Sequence, residues 1–241
     1  MKLLLKLGLI SFSLLLVWSC DGAIVDYVPP PHPQATVPPG AKTFRYLALG
    51  DSYTIGQSVC VTCRFPAQLK TQLKTAFPKD SIALSIIAQT GWTTSNLISA
   101  ITTQNPEANQ DLVTLLIGVN NQYQHKPFSV YEQEFPALVN RAIGLAKGDS
   151  SNVIVVSIPD YAYTPYGQGA ANISSEINQY NTFAQNYCTQ HQIQFVNITD
   201  ITQQGLSDPT LVATDGLHPS EIAYSRFVER LLPKAKAILS N

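Results

Sequence analysis

The stretch YLALGDSYTIG, Tyr46–Gly56, runs apolar for four residues and then breaks into Gly50-Asp51-Ser52. A serine on a glycine-flanked turn at the end of a buried strand holds its hydroxyl at the rim of a sheet. Such a hydroxyl becomes a nucleophile when a base takes its proton and a carboxylate fixes the tautomer of that base. The chain holds four histidines. His32 lies in a proline-rich stretch, His125 in a polar loop and His191 in a helix-like segment. His218, in TDGLHPS, follows Asp215 by three residues, with Gly216 to bend the loop and Pro219 to stop it. That spacing lets the Asp215 carboxylate reach Nδ1 of His218 and leaves Nε2 free to face Ser52.

Acyl chemistry also needs donors aimed at the developing oxyanion. Gly91 can bring its backbone N–H close because no side chain intervenes. Asn120 offers a side-chain amide, and the backbone N–H of Ser52 is a third donor. Gly-Asp-Ser occurs a second time, at Gly148–Ser150. That copy follows a helix-like stretch and precedes a strand, which places it at the opposite rim as a helix stop. Ser52 is therefore the candidate nucleophile and Ser150 is not.

These residues need elements to hold them. Apolar runs at Phe44–Leu49, Ile82–Ala88, Leu112–Ile117, Val153–Ile158 and Ile193–Ile198 read as strands. Helix-like stretches lie at Pro66–Phe77, Thr94–Thr103, Val130–Lys147 and Ile173–Gln190, and a last one runs from Pro219 toward Leu239. Runs that are apolar throughout imply strands buried on both faces. The β–α alternation implies a parallel sheet between helices, joined by right-handed crossovers. Ligands of such sheets bind beyond the carboxyl ends of the strands. GDS, AQTGW, IGVNNQY and SIPDY all follow strands, so all four gather at one rim. Trp92, Tyr123, Tyr161, Tyr163 and Tyr166 would line a cleft there.

The signature G-x-S-x-G is absent, which disfavours the larger α/β-hydrolase fold. GDSYTIG, Gly91, GVNN and DGLH instead resemble the four sequence blocks of the SGNH, or GDSL-type, hydrolases, in that family's order. The resemblance covers nearly all of Phe44 to Leu239. It implies an α/β, three-layer flavodoxin-like fold with a five-stranded parallel sheet that hydrolyses esters. Block by block, it makes Ser52 the nucleophile, Asp215 and His218 the acid and base, and Gly91 and Asn120 oxyanion donors. One departure stands out. The third block commonly reads Gly-x-Asn-Asp, and this chain has Asn121 in the last place. Asn120 is retained, so only local loop bonding and leaving-group contacts are in question. The chemistry expected needs no metal or organic cofactor. Short-chain carboxylic esters, carbohydrate O-acetyl groups among them, are the first substrate class. A lysophospholipase or thioesterase acting on longer acyl chains is the alternative, and a non-catalytic cell-surface binding module is the other.

With 241 residues, 45% of them hydrophobic and 13% charged, the composition suits one globular domain. The formal net charge of −1 gives no basic stripe for nucleic acid. Lys2 and Lys6 flank the start of an apolar run, Leu7–Val17, that is short for a membrane span. The following VWSC resembles a bacterial lipobox, which makes Cys20 the lipidated first residue of a mature, membrane-anchored envelope protein. Residues 1–20 are thus expected to be a lipoprotein signal, 21–42 a Pro-rich tether and 43–241 the hydrolase domain. Cys60-x-x-Cys63 and Cys188-x-x-His191 form a zinc-like quartet by type and spacing. The two halves lie far apart, so a loop disulfide between Cys60 and Cys63 with a buried Cys188 thiol is the better reading.

Overall fold

The computed structural model describes residues 40–241. Cys20, His32 and most of the expected tether lie outside the described residues. Five strands form one sheet: β1 Thr43–Gly50, β2 Ser81–Ala88, β3 Leu112–Leu116, β4 Val153–Val156 and β5 Gln194–Val196. All neighbours pair in parallel, in the order β2-β1-β3-β4-β5. Helices α1 Ser52–Ile55, α2 Phe65–Ala76, α3 Thr94–Gln104, α4 Val119–Tyr123, α5 Phe128–Leu145, α6 Ala171–Gln190, α7 Thr199–Thr202 and α8 Glu221–Ser240 complete the body. α2 and α8 pack together on one side of the sheet, while α3, α5 and α6 pack in a row on the other. This is the flavodoxin-like α/β/α sandwich that the alternation of runs implied.

Local signals explain the outer elements. α8 buries Ala223, Tyr224, Phe227, Val228, Leu231, Ala235 and Ile238, a stripe at helical spacing, and Ser220 caps its start by accepting from the Ala223 N–H at 3.3 Å. α5 and α6 meet along an aromatic seam in which the Tyr131 and Tyr180 rings lie 4.6 Å apart. β3 and β4 are buried along their whole length, as expected of central parallel strands. The expectation of burial on both faces fails for β2. Ser81, Ala83 and Ser85 are exposed, because β2 is an edge strand that pairs with β1 alone among the described residues. Its small Ser and Ala residues hide an alternation that the apolar count missed.

Register sets the rim. Gly50 of β1 lies level with both Ala88 of β2 and Leu116 of β3. The segments that begin at Asp51, Gln89 and Ile117 therefore leave the sheet side by side.

Candidate active site

At the end of β1, the Asp51 carboxylate accepts the Tyr53 N–H at 3.0 Å, which caps the single-turn helix α1. The Gly56 N–H then closes the turn on the Ser52 carbonyl at 3.0 Å. Ser52 is the first residue of that turn, so its own N–H has no acceptor within the helix. Its side chain lines a cleft of about 230 Å³ together with Gly91, Asn120 and His218.

The β2–α3 and β3–α4 loops are tied to each other. Gly91 has φ +82°, a conformation that glycine adopts without strain, and it turns the chain after β2. The carbonyl of Gly91 accepts from Gln124 Nε2 at 2.8 Å, and that of Trp92 from Asn120 Nδ2 at 3.0 Å. A primary amide has two N–H donors, so Asn120 keeps one for the cleft. Gly118, with φ +129°, opens α4, and a Cβ there would stand 2.6 Å from the Tyr131 ring. Asn121 does not face the cleft chemistry. Its Oδ1 accepts the Thr94 N–H at 3.0 Å and its Nδ2 donates to Thr94 Oγ1 at 2.6 Å, while that hydroxyl donates to Glu134 at 2.5 Å. The block's missing carboxylate is thus answered by an amide that satisfies the same loop.

Asp215, Gly216, Leu217 and His218 form a tight turn closed by an antiparallel bridge between Val212 and Pro219. Asp215 Oδ1 accepts the Leu217 and His218 N–H groups, each at 3.0 Å. Its Oδ2 accepts His218 Nδ1–H at 2.7 Å and the Ser58 hydroxyl at 2.6 Å. Partial burial raises the Asp215 pKa, but the Ser58 hydroxyl, the two N–H groups and the imidazole outweigh it and hold the carboxyl well below the usual range. An ionised carboxylate only accepts, so Nδ1 carries the proton and Nε2 offers its lone pair. Among the described residues the imidazole's hydrogen bond is this one to Asp215, and the Ser52–His218 contact is left to tighten with a substrate. The His218 ring packs 5.3 Å from that of Tyr53.

The structure therefore brings Ser52, Gly91, Asn120 and His218 to one cleft and Asp215 to the back of the histidine. Tyr123 and Tyr161 line the cleft as expected, and Tyr166 joins them through a 2.9 Å contact between the Tyr123 and Tyr166 hydroxyls. Trp92 and Tyr163 do not line it; Trp92 acts through its carbonyl instead. The second Gly-Asp-Ser sits at the opposite rim, where Asp149 caps a short 3₁₀ turn into β4. Cys60 and Cys63 form a disulfide with Cα atoms 4.9 Å apart, and Cys188 is a buried free thiol. Among the described residues no cluster of three or more His, Cys, Asp or Glu could hold a metal. No helix among them is long and apolar enough to cross a membrane.

Three contributors have no sequence signal of their own: Gln124, Ser58 and the state of Asp51. Asp51 is fully buried, and its Oδ2 has no hydrogen-bond partner among the described residues. Burial pushes its carboxyl up to about 7, against the pull of the Tyr53 N–H. The folded chain therefore keeps a proton that the unfolded chain loses near pH 4. This contribution is fully present below that pH and fades as pH rises toward 7. Asp51→Asn keeps the capping oxygen and cannot ionise. Relative to that variant, wild type should lose on the order of 2–3 kcal/mol between pH 5 and 7.5. Urea unfolding at both pH values measures it, and parallel behaviour of the two proteins would refute the assignment.

The comparisons with known proteins fit this geometry. The acetylxylan esterase Axe2 from Geobacillus stearothermophilus superposes with a TM-score of 0.62 at 19% identity, covering 81% of this chain and 95% of that one. A lipase/acylhydrolase from Enterococcus faecalis gives 0.63 at 17%, covering 80% and 96%. The lipase Lip_vut3 from a goat rumen metagenome gives 0.64 at 16%, covering 79% and 97%. At such identities the likeness speaks for the fold. No curated protein matches the sequence significantly. The sequence itself carries the family pattern over residues 48–226, from the end of β1 into α8, and the chain belongs to the GDSL-like lipase/acylhydrolase family.

Proposed function

We propose that the protein is a serine ester hydrolase working through an acyl-enzyme. The observation that carries this reading is the Asp215 carboxyl group held 2.7 Å from His218 Nδ1 at the edge of the cleft that Ser52 lines. His218 Nε2 takes the Ser52 proton as Oγ attacks the ester carbonyl. The tetrahedral oxyanion meets the N–H groups of Ser52 and Gly91 and the free amide N–H of Asn120. Protonated His218 gives its proton to the leaving alcohol, and the acyl group stays on Ser52. Water, deprotonated by the same imidazole, then releases the acid and restores the serine.

Short-chain esters, carbohydrate O-acetyl groups among them, are the substrate class we favour. The cleft of about 230 Å³ is small beside the roughly 300–1,000 Å³ of sites that enclose drug-sized ligands. Such a space suits a small acyl group, while the exposed Tyr123 and Tyr166 offer flat faces for a sugar outside it. The acetylxylan esterase among the structural neighbours agrees with this preference. A long acyl chain would project beyond the cleft.

The test is hydrolysis of p-nitrophenyl esters from acetate to palmitate, with mass mapping of the residue labelled by a fluorophosphonate. The expected result is a rate that falls steeply beyond short chains and a label on Ser52. A profile that peaks at long chains would favour the lysophospholipase or thioesterase reading. An unlabelled Ser52 and no turnover of any ester would leave a binding module.

A further inference from the structure

We infer that Ser58 is a positioning residue for the Asp215–His218 pair, presented by the disulfide-closed segment Gly56–Arg64. The inference rests on the triad reading above. Ser58 donates its hydroxyl proton to Asp215 Oδ2 at 2.6 Å, the same oxygen that receives His218 Nδ1–H. The two residues are 157 positions apart, so this is a tertiary contact and no feature of the acid's own turn.

Ser58 has φ +66°, in the left-handed region that side chains other than Gly and Asn seldom enter. Its surroundings hold it there. The Gln57 N–H bonds to the Ser52 carbonyl at 3.0 Å, and the Val59 N–H to that of Gly56 at 3.3 Å. The Cys60–Cys63 bond shortens the segment, and the Arg64 guanidinium reaches back to the Ile55 carbonyl at 3.3 Å. Gln68 ties the Cys63 carbonyl to that of Glu221, at the start of the helix that follows His218. Gln57 contributes a second link: its Oε1 accepts the Thr90 hydroxyl at 2.6 Å, one residue before Gly91. Two consecutive residues thus join the nucleophile turn to the oxyanion loop and to the acid.

The chemistry needs both effects of the Ser58 bond. Asp215 must stay ionised to hold Nδ1–H, and Ser58 makes the largest of the contributions that keep it so. It must also keep Oδ2 aimed at the imidazole while a proton passes through Nε2. The other titratable groups facing Asp215 are Tyr53 of α1, Tyr224 of α8 and, more distantly through them, Asp51. Burial keeps both phenols protonated across the working pH range.

The test compares Ser58→Gly and Ser58→Asn with wild type on p-nitrophenyl acetate, with Ser52→Ala as control. Glycine fits the left-handed backbone and removes the hydroxymethyl group with its donor; asparagine also tolerates it and offers an amide donor. Ser58→Gly should lower kcat by about tenfold, the scale of one charge-assisted hydrogen bond, with KM nearly unchanged. The acid limb of its kcat profile should move to higher pH, its Tm should change little because relief of the left-handed backbone offsets the lost bond, and Ser58→Asn should recover most of the loss in kcat. Unchanged kcat and pH profile in Ser58→Gly, with turnover that Ser52→Ala abolishes, would overturn the inference and leave the triad standing. A fall in kcat only in step with Tm, without rescue by asparagine, would overturn it too. Turnover that survives Ser52→Ala would instead overturn the triad reading beneath it.

Discussion

Replacing Ser52 by alanine is expected to cut ester turnover on the order of 10⁴- to 10⁶-fold, and His218→Ala should cost nearly as much. The two losses should not add. Ser52 Oγ is a poor nucleophile without Nε2, and Nε2 has no proton to take without Oγ, so either change removes the whole attack. A Ser52→Ala/His218→Ala double variant should therefore match the slower single variant within about tenfold. What survives would come from the Gly91 N–H and Asn120 amide, which still polarise a bound carbonyl, on the order of 10³-fold over water. Steady-state kcat on p-nitrophenyl acetate for the three variants measures this. Losses that multiply would mean that the serine and the histidine act in separate steps. Folding should be unaffected by Ser52→Ala, because the Ser52 side chain lines the cleft and α1 is capped by Asp51 and closed by Gly56.

The legibility of these features follows from how far apart their causes lie along the chain. Ser52 and the Asp215–His218 turn are legible because each is local: a glycine at a strand end, and a carboxylate three residues before an imidazole. The parallel sheet is legible because its crossovers leave alternating runs, and the strand and helix expectations fall within a few residues of the observed elements. α4 was not legible, since five residues after a glycine carry no helical period. Gln124 and Ser58 were invisible for a different reason. Their partners, the Gly91 carbonyl and the Asp215 carboxylate, are brought to them by the fold alone. Trp92 misled because an aromatic beside a rim invites a role for its ring, whereas the site uses its backbone oxygen. Composition likewise tells nothing of Asp51, whose shifted titration comes from the wall of side chains around it.

Asn120→Ala should lower kcat about 10²- to 10³-fold with little change in KM, the usual loss for one oxyanion donor. The reason for expecting the loss in kcat lies in the hydrogen bond to the Trp92 carbonyl. It holds the amide plane before any substrate arrives, so the second N–H can point at the oxyanion without reorganising. A donor fixed in that way bonds weakly to a trigonal carbonyl oxygen and strongly to the displaced, charged oxygen of the tetrahedral species, which is the difference that accelerates reaction. Asn120→Asp sharpens the test. It preserves the shape, turns the donor into an acceptor and adds a charge of the same sign as the oxyanion, so it should be slower than Asn120→Ala. An aspartate faster than alanine would mean that position 120 works by filling space. A rise in KM with unchanged kcat in Asn120→Ala would make the amide a ground-state contact and leave the oxyanion to Ser52 and Gly91.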